Sequence, residues 1–427
     1  MTHQSQTAIR AGIVACILGA GAMLNGSFAL PAQGQSSDSR WVTSWSTSHQ
    51  AAGETAMSNA TVRMIARPTI AGDAIRIRVD NTFGREPLTI GRAYAGHRVR
   101  GALLAKGSNR AVMFGGAPNV SIPAGGSAMS DPVALKVLAL QDIAVSLFVP
   151  GSRVVPSQHT GAVVTSYRTP DAGGDVASEE EGTPFTQTTT SLWWLKSIEV
   201  QASTASTSVV AFGDSITDGT CSTLDAHDRW EDVVATRLSF QRSEAGRPGS
   251  SPREGPLAIV NEGIGGNTLT REGLNPPANS PPGLERLERD VLSHHGVSTV
   301  VLFMGTNDIR RGAAANQVIQ AMTTIAQKVK ASGARIVGVT IIPRHNVAAD
   351  GATLWDSSKT RIRNDVNGWI RTRAPFDAVI DFSKVVNDPA DPDLILPAFN
   401  CGDGVHPSPR GYFEMGSAVD LSVLRKR

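Results

Sequence analysis

The run Val209-Val210-Ala211-Phe212-Gly213-Asp214-Ser215-Ile216-Thr217-Asp218-Gly219 constrains this chain more than any other stretch. Five small or apolar residues, Val209 to Gly213, read as a short buried strand, and an acid, a serine and turn-forming residues follow at once. A serine so placed stands at the carboxyl end of a parallel strand, where open α/β sheets put their ligands. The frame Gly213-Asp214-Ser215-Ile216-Thr217 lacks the second glycine of the G-x-S-x-G nucleophile elbow. It also lacks the Lys-Ser/Thr of a phosphate-binding P-loop. By itself the run is equally a plain strand-to-loop turn.

Downstream, in order, come Asn261-Glu262-Gly263-Ile264-Gly265-Gly266-Asn267, Gly305-Thr306-Asn307-Asp308 and Asp403-Gly404-Val405-His406. With the first run they resemble the four sequence blocks of the SGNH (GDSL-type) hydrolases, in that family's order and near its spacing, over residues 207 to 427. The resemblance implies a flavodoxin-like three-layer α/β/α sandwich of five parallel strands and hydrolysis of carboxylic esters through an acyl-enzyme. It implies Ser215 as nucleophile, His406 as the base and Asp403 as the carboxylate that orients the imidazole. As oxyanion donors it implies the backbone N–H groups of Ser215 and Gly266 and the side-chain amide of Asn307.

The residue types suit those roles. An unassisted serine hydroxyl holds its proton too tightly to attack, glycine lets backbone approach a substrate closely, and asparagine donates without competing as a base. Many relatives carry Gly-Asp where this chain has Gly266-Asn267, a tolerable change if the donor is backbone. Asp214 and Asp308 are read as loop organisers through hydrogen bonds to backbone. If Ser215 and His406 react together as the resemblance implies, Cys221, six residues after the serine, and Cys401, five before the histidine, share a neighbourhood. A Cys221–Cys401 disulfide is then expected, with two buried free thiols as the alternative.

At 427 residues the chain is long enough for two domains with separate cores. A net charge of +2 with 18% charged residues points away from disorder, a nucleic-acid partner or a strongly charged substrate. Arg10, the apolar run Ala11 to Leu24 and Ser27-Phe28-Ala29 read as a signal peptide over residues 1–29, too short an apolar run to span a bilayer. Cys16 faintly resembles a lipoprotein site, but too few apolar residues precede it. The mature protein is expected to be secreted, periplasmic or extracellular, without stable membrane insertion. Metal, nucleotide and flavin motifs are missing, so no cofactor is expected. The expected partner is a small-molecule or polysaccharide ester, and the oligomeric state is left open.

Residues 30–40 read as a linker, 41–203 as an all-β domain and 204–427 as the hydrolase domain. Apolar–polar alternation in Thr61 to Arg67 and Ala74 to Asp80, with Gly72-Asp73 between, signals a hairpin. Further short runs separated by Gly, Pro and Asn suggest a β-sandwich or jelly roll, similar to the β domain of a family branch that includes acetylxylan esterases. Glu179-Glu180-Glu181 reads as solvated surface and Trp193-Trp194 as packing. His49, His97 and His159 lack ligand spacing, and His227 and Trp230 read as packing. His294-His295 falls at a helix end, where cations favour the dipole. His345 is a candidate for lining the acyl or leaving-group pocket, and Asn275 to Pro282 is a Pro-rich loop that either flanks the cleft or is plain surface. From residue 207 strands are expected at 207–213, 257–262, 297–304, 334–342 and 377–382, with helices at 228–240, 283–294, 314–331, 357–373 and 410–424. Short-acyl esters, acetylated carbohydrates among them, are the first substrate class. A lipase or lysophospholipase, or a carbohydrate-binding role dominated by the β domain, are the alternatives.

Overall fold

Near-continuous apolar strands covered on both faces are the mark of a parallel sheet, and the second half of the chain builds one. Its strands are β1 (Thr207–Gly213), β2 (Leu257–Gly263), β3 (Val297–Phe303), β4 (Arg335–Val339) and β5 (Ala378–Ile380). They lie in the order β2-β1-β3-β4-β5, all parallel. This is the flavodoxin-type order, and its direction of winding reverses between β1 and β3, which opens a crevice at their carboxyl ends. Alternate residues of β1 face opposite layers. Val210 and Phe212 pack with the helix Ala315–Ala331, while Val209 and Ala211 pack with the helices Trp230–Glu244 and Pro409–Ala418.

The computed structural model describes residues 39–244, 255–344 and 354–426. The signal segment 1–29, nearly all of the linker and His345 lie outside the described residues. Asp38–Arg427 make one compact unit by their internal contacts. Among the described residues no helix is long and apolar enough to cross a membrane. Two expected helices are shorter than their periodicity suggested. Gly283–Leu287 runs on into a π-turn at Glu288–Leu292, and the last helix stops at Ala418. The Asp420 carboxylate there accepts the Ser422 N–H at 2.9 Å and starts a separate turn, Leu421–Leu424.

The first half is β-rich. Ser39–Ser46, Leu195–Ser203, Ile75–Asp80 and Ser127–Met129 form a four-stranded antiparallel sheet in that order. A seven-stranded sheet is centred on Ala60–Ala66, Ile143–Val149 and Arg92–Arg100. Val42, Ile77 and Ile198 from one sheet and Met64, Val145 and Leu147 from the other belong to a single core, which also buries Trp193 and Trp194. The hairpin expected across Gly72-Asp73 does not form. Its two strands lie in different sheets, Ala60–Ala66 in the larger and Ile75–Asp80 in the smaller. Pro68 has no N–H with which to continue a ladder. The chain crosses over instead, with Gly72 exchanging hydrogen bonds of 3.1 and 2.9 Å with Val137 and the Asp73 N–H donating to Gln201 O at 3.1 Å.

A buried cluster of charges joins the two halves. Lys196, from the β-rich half, places Nζ 3.1 Å from Glu262 and 2.9 Å from Asp290 and donates to Thr47 O at 2.8 Å. Glu262 also receives the Ser48 hydroxyl at 2.5 Å and lies 2.6 Å from His294 Nε2, while Arg289 holds Asp290 at 2.8 Å. Burial opposes ionisation of Glu262, but Lys196 and His294 outweigh it and bring its pKa down to about 2. The dipole reading of His294-His295 is therefore replaced. His294 bonds Glu262, and His295 Nδ1 lies 2.8 Å from Glu199.

Candidate active site

Gly213 ends β1 where a Cβ would lie 2.1 Å from Thr217 Oγ1 and 3.0 Å from Phe303 O, so a glycine is required for the chain to turn there. The turn starts a short helix, α1 (Ser215–Asp218), whose N-cap Asp214 accepts the Ile216 N–H at 3.0 Å. Ser215 is its first residue, 8% exposed at the carboxyl edge of the sheet.

Ser215 Oγ lies 2.8 Å from His406 Nε2, and His406 Nδ1 lies 2.5 Å from Asp403 Oδ2. Local bonds shape the loop that carries the last two. Asp403 Oδ1 accepts the N–H groups of Val405 and His406, each at 2.8 Å. Asn400 accepts from Gly402 and Gly404 at 2.8 and 3.0 Å and donates to His406 O at 2.9 Å. Burial favours the neutral Asp403 carboxyl, but the His406 ring and the two backbone amides outweigh it and hold the group far below the usual carboxylate range. Asp403 is thus ionised at neutral pH and faces Nδ1, which leaves Nε2 free to accept the serine proton.

Cys221 and Cys401 are joined, with Cα atoms 6.2 Å apart, and tie the segment after Ser215 to the His406 loop. The Cys401 N–H donates to His406 O at 3.1 Å, so the bridge braces the histidine directly. The bridge spans a sequence separation of 180 residues, for which the chain-entropy treatment gives about 5 kcal/mol. Reduction is expected to lower Tm by about 6 °C, measured by scanning calorimetry with and without a dithiol; an unchanged Tm would show that the bridge carries no stability. Among the described residues, Cys221, Cys401 and Asp403 have metal-ligand spacing, and both sulfurs of that group are in the disulfide.

The expected oxyanion donors come from three segments. Gly266 has φ +70°, a conformation that glycine tolerates best, and lies just after the end of β2. Asn307 lies in a helical turn, Thr306–Arg310, after β3 and donates one amide hydrogen to Asn267 O at 3.1 Å; a primary amide has a second. Asn267 explains its own departure from Gly-Asp. Its amide donates to Pro281 O at 2.7 Å and Ser280 Oγ at 3.0 Å while its oxygen accepts Arg286 Nε at 3.0 Å. An ionised aspartate has no hydrogen to donate to the Pro281 carbonyl. Those bonds also fasten the end of the Pro-rich loop beside the second block.

Asp308 accepts the Leu269 N–H at 2.9 and 3.0 Å, and burial pushes its pKa up to about 7. Burial likewise pushes the Asp214 carboxyl up to about 7. Both bond to backbone within the site's loops, the geometry read for them from sequence.

Several residues of this neighbourhood carry no motif. The Arg286 guanidinium donates to Gly213 O, Glu262 O and Ser48 Oγ, each at 2.8 Å, and so ties the ends of β1 and β2 to the β-rich half. His159 reaches from the β-rich half to Asp218 at 2.9 Å. A charged residue inside a buried strand, Glu262 in β2, is the one sequence signal that such a cluster leaves.

The imidazole thus lies between a hydroxyl and a carboxylate at the carboxyl ends of a doubly wound parallel sheet. Residues 211–412 match the model of the GDSL-like Lipase/Acylhydrolase family, and the chain carries an acylhydrolase domain of that family there. Solved structures that resemble the chain include a carbohydrate acetylesterase from Sinorhizobium meliloti, at 18% identity over 51% of this chain and 100% of that one, TM-score 0.40. A member of the lipolytic protein G-D-S-L family from Veillonella parvula DSM 2008 resembles it at 18% identity over 50% and 95%, TM-score 0.34. A GDSL-like lipase from Bacteroides thetaiotaomicron VPI-5482 does so at 17% identity over 51% and 87%, TM-score 0.34. No curated protein matches the chain.

Proposed function

We propose that this protein is an exported esterase that hydrolyses short-acyl carboxylic esters, acetyl groups on carbohydrates among them, through an acyl-enzyme on Ser215. His406 Nε2 takes the serine proton as Oγ bonds to the ester carbonyl carbon. Asp403 keeps Nδ1 protonated and stabilises the imidazolium. The carbonyl oxygen, now negative, is met by the N–H groups of Ser215 and Gly266 and by the Asn307 amide. His406 then gives its proton to the leaving alcohol, and water repeats the sequence to release the acid. The observation that carries the reading is the unbroken pair of contacts, 2.8 Å from Ser215 Oγ to His406 and 2.5 Å from His406 to Asp403.

Export is supported by the apolar run after Arg10 and by the Cys221–Cys401 bridge, which persists in oxidising compartments. The short-acyl assignment rests on the resemblance, read from the strand pattern of residues 41–203, to the β domain of a family branch that includes acetylxylan esterases. Initial rates on p-nitrophenyl acetate, butyrate and octanoate test it. Turnover is expected to fall steeply as the acyl chain lengthens; a preference for octanoate would replace the esterase reading with a lipase.

A further inference from the structure

We infer that His159, a residue of the β-rich half, positions the Gly266 oxyanion donor by holding Asp218. This rests on the esterase reading and adds to it a residue that lies outside the four blocks. His159 ends the short strand Ser157–His159 and is 2% exposed. Its Nδ1 lies 2.8 Å from Ser48 O and its Nε2 lies 2.9 Å from Asp218 Oδ1, so both ring nitrogens face oxygens. The other carboxylate oxygen, Asp218 Oδ2, accepts the Gly265 N–H at 3.0 Å. Gly265 directly precedes Gly266, and Asp218 is the last residue of the helix that begins with Ser215.

The loop Gly265–Asn267 is thus held at both ends. Asn307 and Arg286 hold Asn267, and Asp218 holds Gly265. A carboxylate is suited to the second task because one oxygen can take the amide while the other is fixed in direction by the imidazole. Behind the pair lies a cavity of about 50 Å³ lined by His159, Asp218, Arg229, Glu231 and Asn261 among others. Such a space admits water. With the imidazole removed, Asp218 Oδ1 becomes a buried acceptor without its partner, and such a group turns toward whatever donor it can reach. Arg229 lines the same cavity. Rotation of the carboxylate toward it releases the Gly265 N–H, and the next peptide, which carries the Gly266 N–H, loses its aim at the developing negative charge.

The test uses the full chain with His159→Ala and His159→Gln. Reaction with a fluorophosphonate counts competent serines, and kcat and KM for p-nitrophenyl acetate are expressed per competent site. His159→Ala is expected to lower kcat by about 10- to 100-fold, since complete loss of one oxyanion donor costs about 100- to 1,000-fold. KM should stay within about twofold, because the donor acts mainly in the transition state. His159→Gln keeps an N–H donor toward Asp218 and should recover most of the rate. Hydrogen exchange at Gly265 and Gly266 should quicken in the alanine variant and return in the glutamine variant.

A residue that merely stabilised the fold would lower the number of competent sites and leave kcat per site unchanged. An unchanged kcat per site overturns the inference, as does unchanged exchange at Gly265. If the wild type hydrolyses no ester, the esterase reading fails instead, and the exchange measurement still decides whether His159 holds the loop.

Discussion

Ser215→Ala and His406→Ala are each expected to lower kcat for ester hydrolysis by about 10⁴-fold or more while the folded protein is retained. In the proposed mechanism serine removal takes away the atom that bonds to the acyl carbon. Histidine removal leaves Ser215 Oγ without the Nε2 acceptor 2.8 Å away, and its own proton then blocks attack. The two losses should not add, because each residue works only through the other. The double variant is expected to match the singles within about tenfold.

The fold should tolerate both changes. The turn that holds Ser215 is capped by the Asp214 carboxylate and needs nothing from the serine side chain. The His406 loop is organised by Asn400, by Asp403 and by the bridge at Cys401. Steady-state rates with a melting curve on the same samples check this, and wild-type turnover by either single variant would sink the proposed triad.

Among substitutions, the largest effect on stability is expected from Lys196→Met, which should cost about 3–5 kcal/mol. Lys196 is the cation shared by Glu262 and Asp290, whose side chains are both 0% exposed. The thioether keeps most of the aliphatic stem's packing, so the loss isolates the charge. Removing one member of a buried pair leaves the other ionised in a medium that solvates it poorly. Glu262 retains His294, and Asp290 retains Arg286 and Arg289, which sets the expectation at a few kcal/mol instead of complete unfolding.

The pH dependence has a definite sign. The folded Glu262 pKa is about 2, below the ordinary 4.5. Its contribution is therefore present above about pH 4.5 and is lost as pH falls toward 2. The deficit of Lys196→Met should accordingly be greatest at neutral pH and shrink in acid, where the stranded carboxylates can take up protons. Guanidinium unfolding at two pH values measures both. A neutral-pH deficit under about 1 kcal/mol would show that the lysine is dispensable. Adding Glu262→Gln to Lys196→Met should return part of the loss.

Most of what is local in this protein is legible from residue order. β1 reads as a strand because Val209 to Phe212 form an apolar run, and the sheet covers both its faces. The helix Ala315–Ala331 reads correctly because Val318, Ala321, Met322, Ile325 and Val329 recur on one face. The Asp403–His406 contact spans three residues, so the block that contains it nearly dictates it. Asn267 is harder, since its need for an amide comes from the Pro281 carbonyl, fourteen residues on, which can only accept.

The two β patterns flanking Gly72-Asp73 show where such reading stops. Alternation reports that one face of each strand is buried, and that holds whether the strands pair with each other or face each other across a core. The union of the two halves is further out of reach. His159 meets Asp218 across 59 positions, Lys196 meets Glu262 across 66 and Arg286 meets Ser48 across 238. Periodicity is a property of neighbours, so the sequence by itself determined the strands, the helices and the short blocks that carry the chemistry. Which buried charge answers which depends on how two independently patterned halves dock. That pairing, and with it the hold of the β-rich half on the Gly265–Asn267 loop, was decided by the tertiary structure, because a charge can be buried only where the fold brings its partner.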